Sequence, residues 1–200
     1  MRAVATQLLS GSELYREVVL RRLAQARESV WISTANVKAM FVEHGGAFRP
    51  VLALFAELAR RGVELRLLHA ELPSRPFRAA FDRRQSLVRG GLQLKICPRV
   101  HFKAVLVDGA WLYLGSANLT GAGLGAKGPD KRNFELGFVT EDFGIIDQVT
   151  EFYESVWAGR PCGTCQLRDQ CPDPIGPALA VGRGSDIRLG RARRLGGRRR

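Results

Sequence analysis

The hydrophobic and polar positions along the chain follow two periodicities in turn. Four segments carry apolar residues at helical spacing, and these are residues 10–29, 47–61, 75–89 and 142–159. Short apolar runs rich in β-branched residues lie between them and predict strands at residues 30–36, 63–70, 92–97 and 133–140. Gly62 and Gly90 mark the ends of the second and third helices. This alternation predicts an α/β fold, a layered sheet with helices on both faces.

Residues 101–118 depart from the alternation and predict an antiparallel hairpin. Asp108-Gly109 is a two-residue turn signal, with the runs FKAVLV and AWLYLG on either side. His101 and Lys103 are two residues apart, so a strand would point both side chains at the same face. The returning strand would bring the sequence GSAN back beside them.

The hairpin therefore gathers an imidazole, an ammonium, a hydroxyl and a carboxamide. An imidazole can attack phosphorus or protonate a leaving oxygen, and the other three groups can bind phosphate oxygens. This chemistry requires no metal ion. The pattern thus predicts a site that handles phosphoryl groups.

At these residues the chain resembles the phospholipase D superfamily, whose signature is H-x-K-x4-D followed by G-S-x-N. The matching positions are His101, Lys103, Asp108, Gly115, Ser116 and Asn118. Asn133 and Glu135 continue the likeness, because the family places an N-x-E element on the next strand. The resemblance implies a phospholipase D-like fold and, for this short chain, a nuclease-like member with a single copy of the motif.

The resemblance also implies a role for each residue. His101 would attack the phosphodiester and form a phosphohistidine, while Lys103, Ser116 and Asn118 would bind the phosphate and stabilise its charge. Glu135 would hydrogen-bond the imidazole and hold its tautomer. Asn133 is a weaker candidate for the phosphate site.

Asp108 belongs to the motif but should lie away from the chemistry. At the usual rise per residue it is about 20 Å along the strand from His101. We interpret it as a turn residue with a structural role.

The motif occurs once, and the chain shows no internal repeat. Superfamily members build one active site from two copies, so the resemblance implies a homodimer in which two His101 side chains face each other. Displacement at phosphorus independently requires a nucleophile on one side and a proton donor on the other. A two-fold interface supplies both. A monomer that uses water or another residue is the alternative.

Length and charge set the remaining limits. The 200 residues suit one folded domain, and a hydrophobic content of 46% with 25% charged residues is typical of a globular protein. No apolar run is long enough to span a membrane and no secretion signal is recognisable, so we expect a cytoplasmic protein.

The positive charge is concentrated at the C-terminus. The formal net charge is +12, and residues 182–200 contain eight arginines against one acidic residue, Asp186. This Gly/Arg-rich segment has no apolar face and is predicted to be a disordered arm that attracts polyanions. We favour nucleic acid as the partner, DNA over RNA, although a solubilising tail or an arm for anionic lipid would have the same composition.

The four cysteines form a separate signal. Three follow the last helix with the spacing Cys162-x2-Cys165-x5-Cys171, and the fourth, Cys97, ends the strand before the hairpin. Together they make a four-sulfur metal site possible, and disulfides are disfavoured without a secretion signal. The spacing resembles that of the iron-staple nucleases, which hold a [4Fe-4S] cluster on one distant cysteine and a C-terminal C-x2-C-x5-C. The likeness covers the spacing alone.

We favour a structural [4Fe-4S] cluster over Zn²⁺. Pro172 follows the last ligand, as is frequent in clusters, whereas zinc ribbons usually show two C-x2-C pairs. Unligated thiols are the third alternative. The sequence thus divides into a catalytic domain over residues 1–160, a Cys-rich metal-binding segment over 161–181 and the Arg-rich tail over 182–200.

Three functions fit these features. The first and favoured one is a metal-independent nuclease acting on DNA or RNA, which the compact single-motif chain and the basic tail support. The second is a phospholipase or phosphatidyl-transfer enzyme, whose relatives usually carry two motifs and longer chains. The third is a non-catalytic module that binds the phosphate backbone of a nucleic acid.

Overall fold

A mixed seven-stranded sheet forms the centre of the computed structural model, which describes residues 2–174. The strands in this part of the chain are β1 (Gln7–Ser10), β2 (Ser29–Thr34), β3 (Phe41–His44), β4 (Ala47–Pro50), β5 (Glu64–His69), β6 (Gln93–Ile96), β7 (Lys103–Val107), β8 (Trp111–Gly115) and β9 (Leu136–Thr140). Their order in the large sheet is β1-β9-β8-β7-β2-β5-β6, and β3 pairs with β4 in a separate hairpin. The Arg-rich tail and the end of the Cys-rich segment lie outside the described residues.

Helices cover both faces of the sheet, as the alternation of elements predicts. The first helical segment is α1 (Ser12–Leu14), which continues with π-type hydrogen bonds over Tyr15–Arg22 and ends in a 3-10 turn at Leu23–Gln25. It is followed by α2 (Val51–Arg60), α3 (Arg75–Asp82), a wide turn at Leu87–Gly91 and α4 (Phe143–Trp157). None of the helices among residues 2–174 is long and apolar enough to cross a bilayer.

The period of two along the strands divides the core into two layers. Val105 and Val107 of β7 pack with the first helical segment, α2 and α3, whereas the neighbouring Ala104 and Leu106 pack with α4. Successive side chains of a strand point to opposite faces, so a run that is buried throughout requires cover on both sides. The continuous apolar sequence of β7 is therefore explained by its central position, and the predicted fold class is confirmed.

Some boundaries differ from the sequence prediction. The helix predicted over residues 47–61 begins at Val51, because residues 47–50 form β4, and the helix predicted over 75–89 stops at Asp82. Phe48 is 69% exposed and does not extend the apolar stripe of α2. The sequence does not predict the edge strand β1, because Leu9 is the only buried residue among its four.

The strand directions bring several chain segments to one edge of the sheet. β2, β5 and β6 run parallel, while β7, β8 and β9 alternate in direction. The carboxyl ends of β2, β5, β6 and β8 therefore meet the starts of β7 and β9 at the same edge. The register places Lys103, Gly115 and Gly137 side by side across three strands. We refer to this edge as the site edge.

Candidate active site

His101 and Lys103 are in contact at the start of β7. The Lys103 ammonium donates to the His101 carbonyl oxygen at 2.7 Å and lies 3.3 Å from Nδ1 and 3.4 Å from Nε2 of the ring. Lys103 is only 8% exposed, whereas His101 is exposed to solvent. A buried ammonium thus lies against an imidazole that is exposed to solvent.

Ser116 and Glu135 lie at the same edge, on the two strands beyond β7. The Ser116 hydroxyl donates to a Glu135 carboxylate oxygen and accepts from the backbone N–H of Leu136 at 3.1 Å. The other Glu135 oxygen accepts from Asn133 Nδ2 at 3.0 Å. The resemblance implied a contact between Glu135 and the His101 imidazole. In the described part of the chain the Glu135 carboxylate bonds to Ser116 and Asn133, and no hydrogen bond joins it to His101.

The carboxamide nitrogen of Asn118 is available to a substrate, because the carboxamide oxygen is already hydrogen-bonded within the protein. Oδ1 accepts from the backbone N–H groups of Ala35 and Asn36, each at 3.1 Å, and lies 3.1 Å from the Thr34 hydroxyl. Within residues 2–174, no hydrogen bond uses Nδ2. This amide is therefore a fixed donor suited to an anionic oxygen.

Thr34 is a positioning residue that the sequence did not indicate. Besides its contact with Asn118, its buried hydroxyl accepts from the backbone N–H of Leu119 at 3.0 Å. Thr34 ends the apolar run of β2 and belongs to no recognisable motif. Its positioning role becomes visible only when β2 pairs with β7 in the sheet.

Gly115 is required by close packing beneath Ser116. A Cβ at Gly115 would lie 2.6 Å from the Leu136 carbonyl oxygen and would also meet the Tyr113 hydroxyl. Tyr113 is buried under this point, and burial raises its pKa to about 12. Its hydroxyl accepts from the Ala117 N–H at 3.3 Å and so supports the turn that carries Ser116 and Asn118.

Asp108 lies in the turn at the opposite end of β7 and bonds to the backbone. Its carboxylate accepts from the N–H groups of Arg27, Glu28 and Ser29 at 2.8 to 3.1 Å. Its φ of 53° is in the left-handed region, which Asp tolerates better than most residues. Asp108 thus connects the hairpin turn to the start of β2, in agreement with the structural role expected for it.

His69 is buried at the site edge without taking part in the site. Its Nδ1 lies 2.8 Å from the Glu71 carbonyl oxygen, and burial lowers its pKa. A neutral imidazole held in this way has a packing role.

The four cysteines line one cavity next to the site edge. The cavity has a volume of about 170 Å³ and lies between the segment after β6 and the chain after α4. Burial raises the pKa of the Cys97 thiol, whereas the Leu167 backbone and the Arg99 guanidinium lower that of Cys165. As placed here, no three His, Cys, Asp or Glu side chains among the described residues are arranged to hold a metal ion.

Comparison with known proteins relates most of the chain to one family. Residues 19–157 match the family model described as "Cardiolipin synthase, PLD-like domain". No curated protein sequence gives a significant match.

Several solved structures share the fold at low sequence identity. NucT from Helicobacter pylori is 15% identical with a TM-score of 0.55, and the alignment covers 76% of this chain and 95% of that one. Nuc from Salmonella typhimurium, described as a phospholipase D family member, is 19% identical with a TM-score of 0.56 and the same coverage. TrmBL2, an archaeal chromatin protein described as having a novel mode of DNA binding, is 12% identical with a TM-score of 0.53, covering 85% of this chain and 54% of that one.

Proposed function

The chain belongs to the family of phospholipase D-like domains, and from that premise we propose that it is a nuclease that cleaves DNA or RNA without a catalytic metal ion. Family membership supports an enzyme that acts on phosphodiester bonds. The choice of nucleic acid as substrate and the course of the reaction are our proposal.

The contact between His101 and Lys103 carries this proposal. An exposed imidazole is held beside a buried ammonium, and the Ser116 hydroxyl and the Asn118 amide belong to the same edge. A phosphodiester that binds there meets a nitrogen nucleophile and several donors for its anionic oxygens. The set contains a single carboxylate, that of Glu135, and no carboxylate cluster for magnesium, so it favours direct attack on phosphorus over metal-assisted hydrolysis.

The reaction follows from these groups in two displacements. A nitrogen of His101 attacks phosphorus, and the bond from phosphorus to the leaving oxygen breaks as a second imidazole gives that oxygen a proton. Water then attacks the phosphohistidine while the second imidazole takes up its proton. The phosphorus–nitrogen bond breaks, and both histidines return to their starting state. Lys103, Ser116 and Asn118 stabilise the charge on the phosphoryl oxygens.

We propose that the second imidazole is His101 of another copy of this chain. Exposed apolar side chains beside the site edge support a two-fold interface there: Phe134 is fully exposed, Leu136 is 59% exposed and Leu8 is 69% exposed. Leu8 pairs with Phe138, two residues from Leu136, so Leu8 and Leu136 point to the same face of the sheet, and Phe134 lies just before β9. A dimer that covers them would also bring two copies of His101 together.

The dimer is expected to be required for activity. Light scattering at assay concentration should give twice the chain mass, and Leu136→Glu should shift it toward the monomer with loss of turnover. The matched control is Val88→Glu, which changes an exposed apolar residue in the turn after α3. A fully active monomer would contradict the shared site.

Nucleic acid is the substrate class that the charge distribution favours. The excess of arginine in residues 182–200 suits a polyphosphate partner by counterion release, although this segment lies outside the described residues. The cytoplasmic location expected from the sequence stays a prediction.

A cleavage assay with EDTA present tests the proposed function. Purified protein is incubated with labelled single- and double-stranded DNA and RNA, and with phospholipid vesicles, in separate reactions. We expect nucleic acid to be cleaved in EDTA. Cleavage of lipid alone would favour the phospholipase, binding without cleavage would favour the non-catalytic module, and dependence on added magnesium would reject the mechanism.

A further inference from the structure

We propose that Cys97, Cys162, Cys165 and Cys171 bind a [4Fe-4S] cluster that fixes the segment leading into His101. This inference does not depend on the proposed function. All the cysteines of the chain line the same cavity, although Cys97 is 65 or more positions away from the other three in the numbering. Four thiols that meet from such distant parts of a chain form a donor set for soft metal centres.

The segment after α4 has little else to hold it in place. Its two 3-10 turns, Arg160–Thr164 and Arg168–Gln170, bury no residue. Ordering a residue of backbone costs conformational entropy, which a segment without a buried side chain does not recover by packing. A metal centre bound to three of its residues offsets this cost, because metal binding free energy becomes folding free energy.

The cavity between the thiols and the proline after Cys171 favour a cluster over a single ion. In a tetrahedral zinc site with Zn–S bonds of about 2.3 Å the sulfurs lie about 3.8 Å apart. All four thiols border a cavity of about 170 Å³, and as they stand no three metal-binding side chains among residues 2–174 are arranged to hold an ion. A cubane cluster spaces its four thiolates around a larger core, and this cavity suits such a core.

The charges around the cavity support an anionic occupant. Lys95 and Arg99 line it together with one carboxylate, that of Asp173. A cubane cluster with four thiolate ligands carries a net negative charge in its usual oxidation states. The two cations compensate that charge, while apolar side chains such as Phe102, Phe152 and Val156 shield the cluster from water.

The position of Cys97 connects the proposed cluster to the active site. Its backbone N–H donates to the His69 carbonyl oxygen at 2.8 Å, and its carbonyl accepts from the Val100 N–H at 2.9 Å. Val100 and Phe102 line the same cavity, and His101 lies between them. A cluster bound to Cys97 would therefore fix the position of the segment that carries His101.

Anaerobic purification followed by reconstitution with ferrous iron and sulfide tests the proposal. We expect brown protein with broad visible absorbance that dithionite bleaches, and about four irons and four sulfides per chain. Cys171→Ser should lose most of this iron, whereas Gln170→Ser, the neighbouring exposed position, should keep it. The cysteine variant should also be cut faster by trypsin after Arg168, because the segment is released.

Three results would overturn the cluster. The first is colourless protein with one zinc per chain. The second is protein that takes up no metal on reconstitution and whose four thiols all react freely with an alkylating reagent. The third is a mass deficit of two hydrogens per disulfide in protein handled under anaerobic conditions. Each is read from metal content and mass alone, so the outcome is separate from whether the protein proves to be a nuclease.

Discussion

Replacing His101 with alanine is expected to abolish phosphodiester cleavage, with a fall in kcat of about 10⁴-fold or more. The variant removes the exposed imidazole of the site edge and, in the proposed dimer, removes both the nucleophile and the proton donor. Lys103, Ser116 and Asn118 stay in place to bind the phosphate. Substrate affinity should therefore change by less than about tenfold, since these groups act on the ground state as well.

Single-turnover cleavage and equilibrium binding measured on the same labelled substrate separate the two effects. Arg89→Ala serves as the control, since it removes an exposed side chain in the turn after α3. If His101→Ala kept activity within tenfold of the parent protein, the nucleophile would have to be a different group. Loss of affinity equal to the loss of rate would instead make His101 a binding residue.

Replacing Asp108 with alanine is expected to destabilise the protein by about 2–4 kcal/mol without changing the chemistry. The carboxylate accepts from three consecutive backbone N–H groups, those of Arg27, Glu28 and Ser29. Removing it leaves these donors without that partner at the start of β2. Alanine also adds strain at a φ of 53°, a conformation that Asp adopts more readily.

Two further variants separate the two causes of this loss of stability, the missing hydrogen-bond acceptor and the backbone strain. Asp108→Gly relieves the backbone strain but still lacks the acceptor, whereas Asp108→Asn keeps an acceptor and tolerates the left-handed conformation. Urea unfolding should rank the variants Asn, Gly, Ala in order of decreasing stability. The kcat of each, measured well below its transition, should match that of the parent protein. A large fall in kcat at unchanged stability would give this motif residue a catalytic role.

Much of the site could be predicted because it is local in the sequence. The Asp108-Gly109 signal predicts the hairpin that joins β7 to β8. The predicted two-residue turn is wrong by one residue, because Val107 pairs with Trp111 across a loop of three residues, 108–110, and this register pairs Gly115 with Lys103. The two-residue spacing of His101 and Lys103 then places both side chains on the same face. Such short-range pairings follow from the period of a strand and the length of its turn.

The partners of these groups could not be predicted in the same way. The Asn118 oxygen bonds to residues 34–36, more than 80 positions away, because β7 happens to pair with β2. Glu135 bonds to Ser116 and Asn133 and not to His101, because β9 continues the sheet beyond β8. Both outcomes depend on the order of the strands in the sheet, which no local sequence pattern predicts.

The sequence by itself determined the helices, most of the strands and the reactive hairpin, since each depends on periodicity or turn chemistry within a few residues. Tertiary structure decided which segments share the site edge, that β1 pairs with β9, and that Cys97 borders the same cavity as three cysteines after α4. Those arrangements depend on burying both faces of the sheet at once. That condition involves the whole chain, so no short stretch of sequence contains a pattern that predicts it.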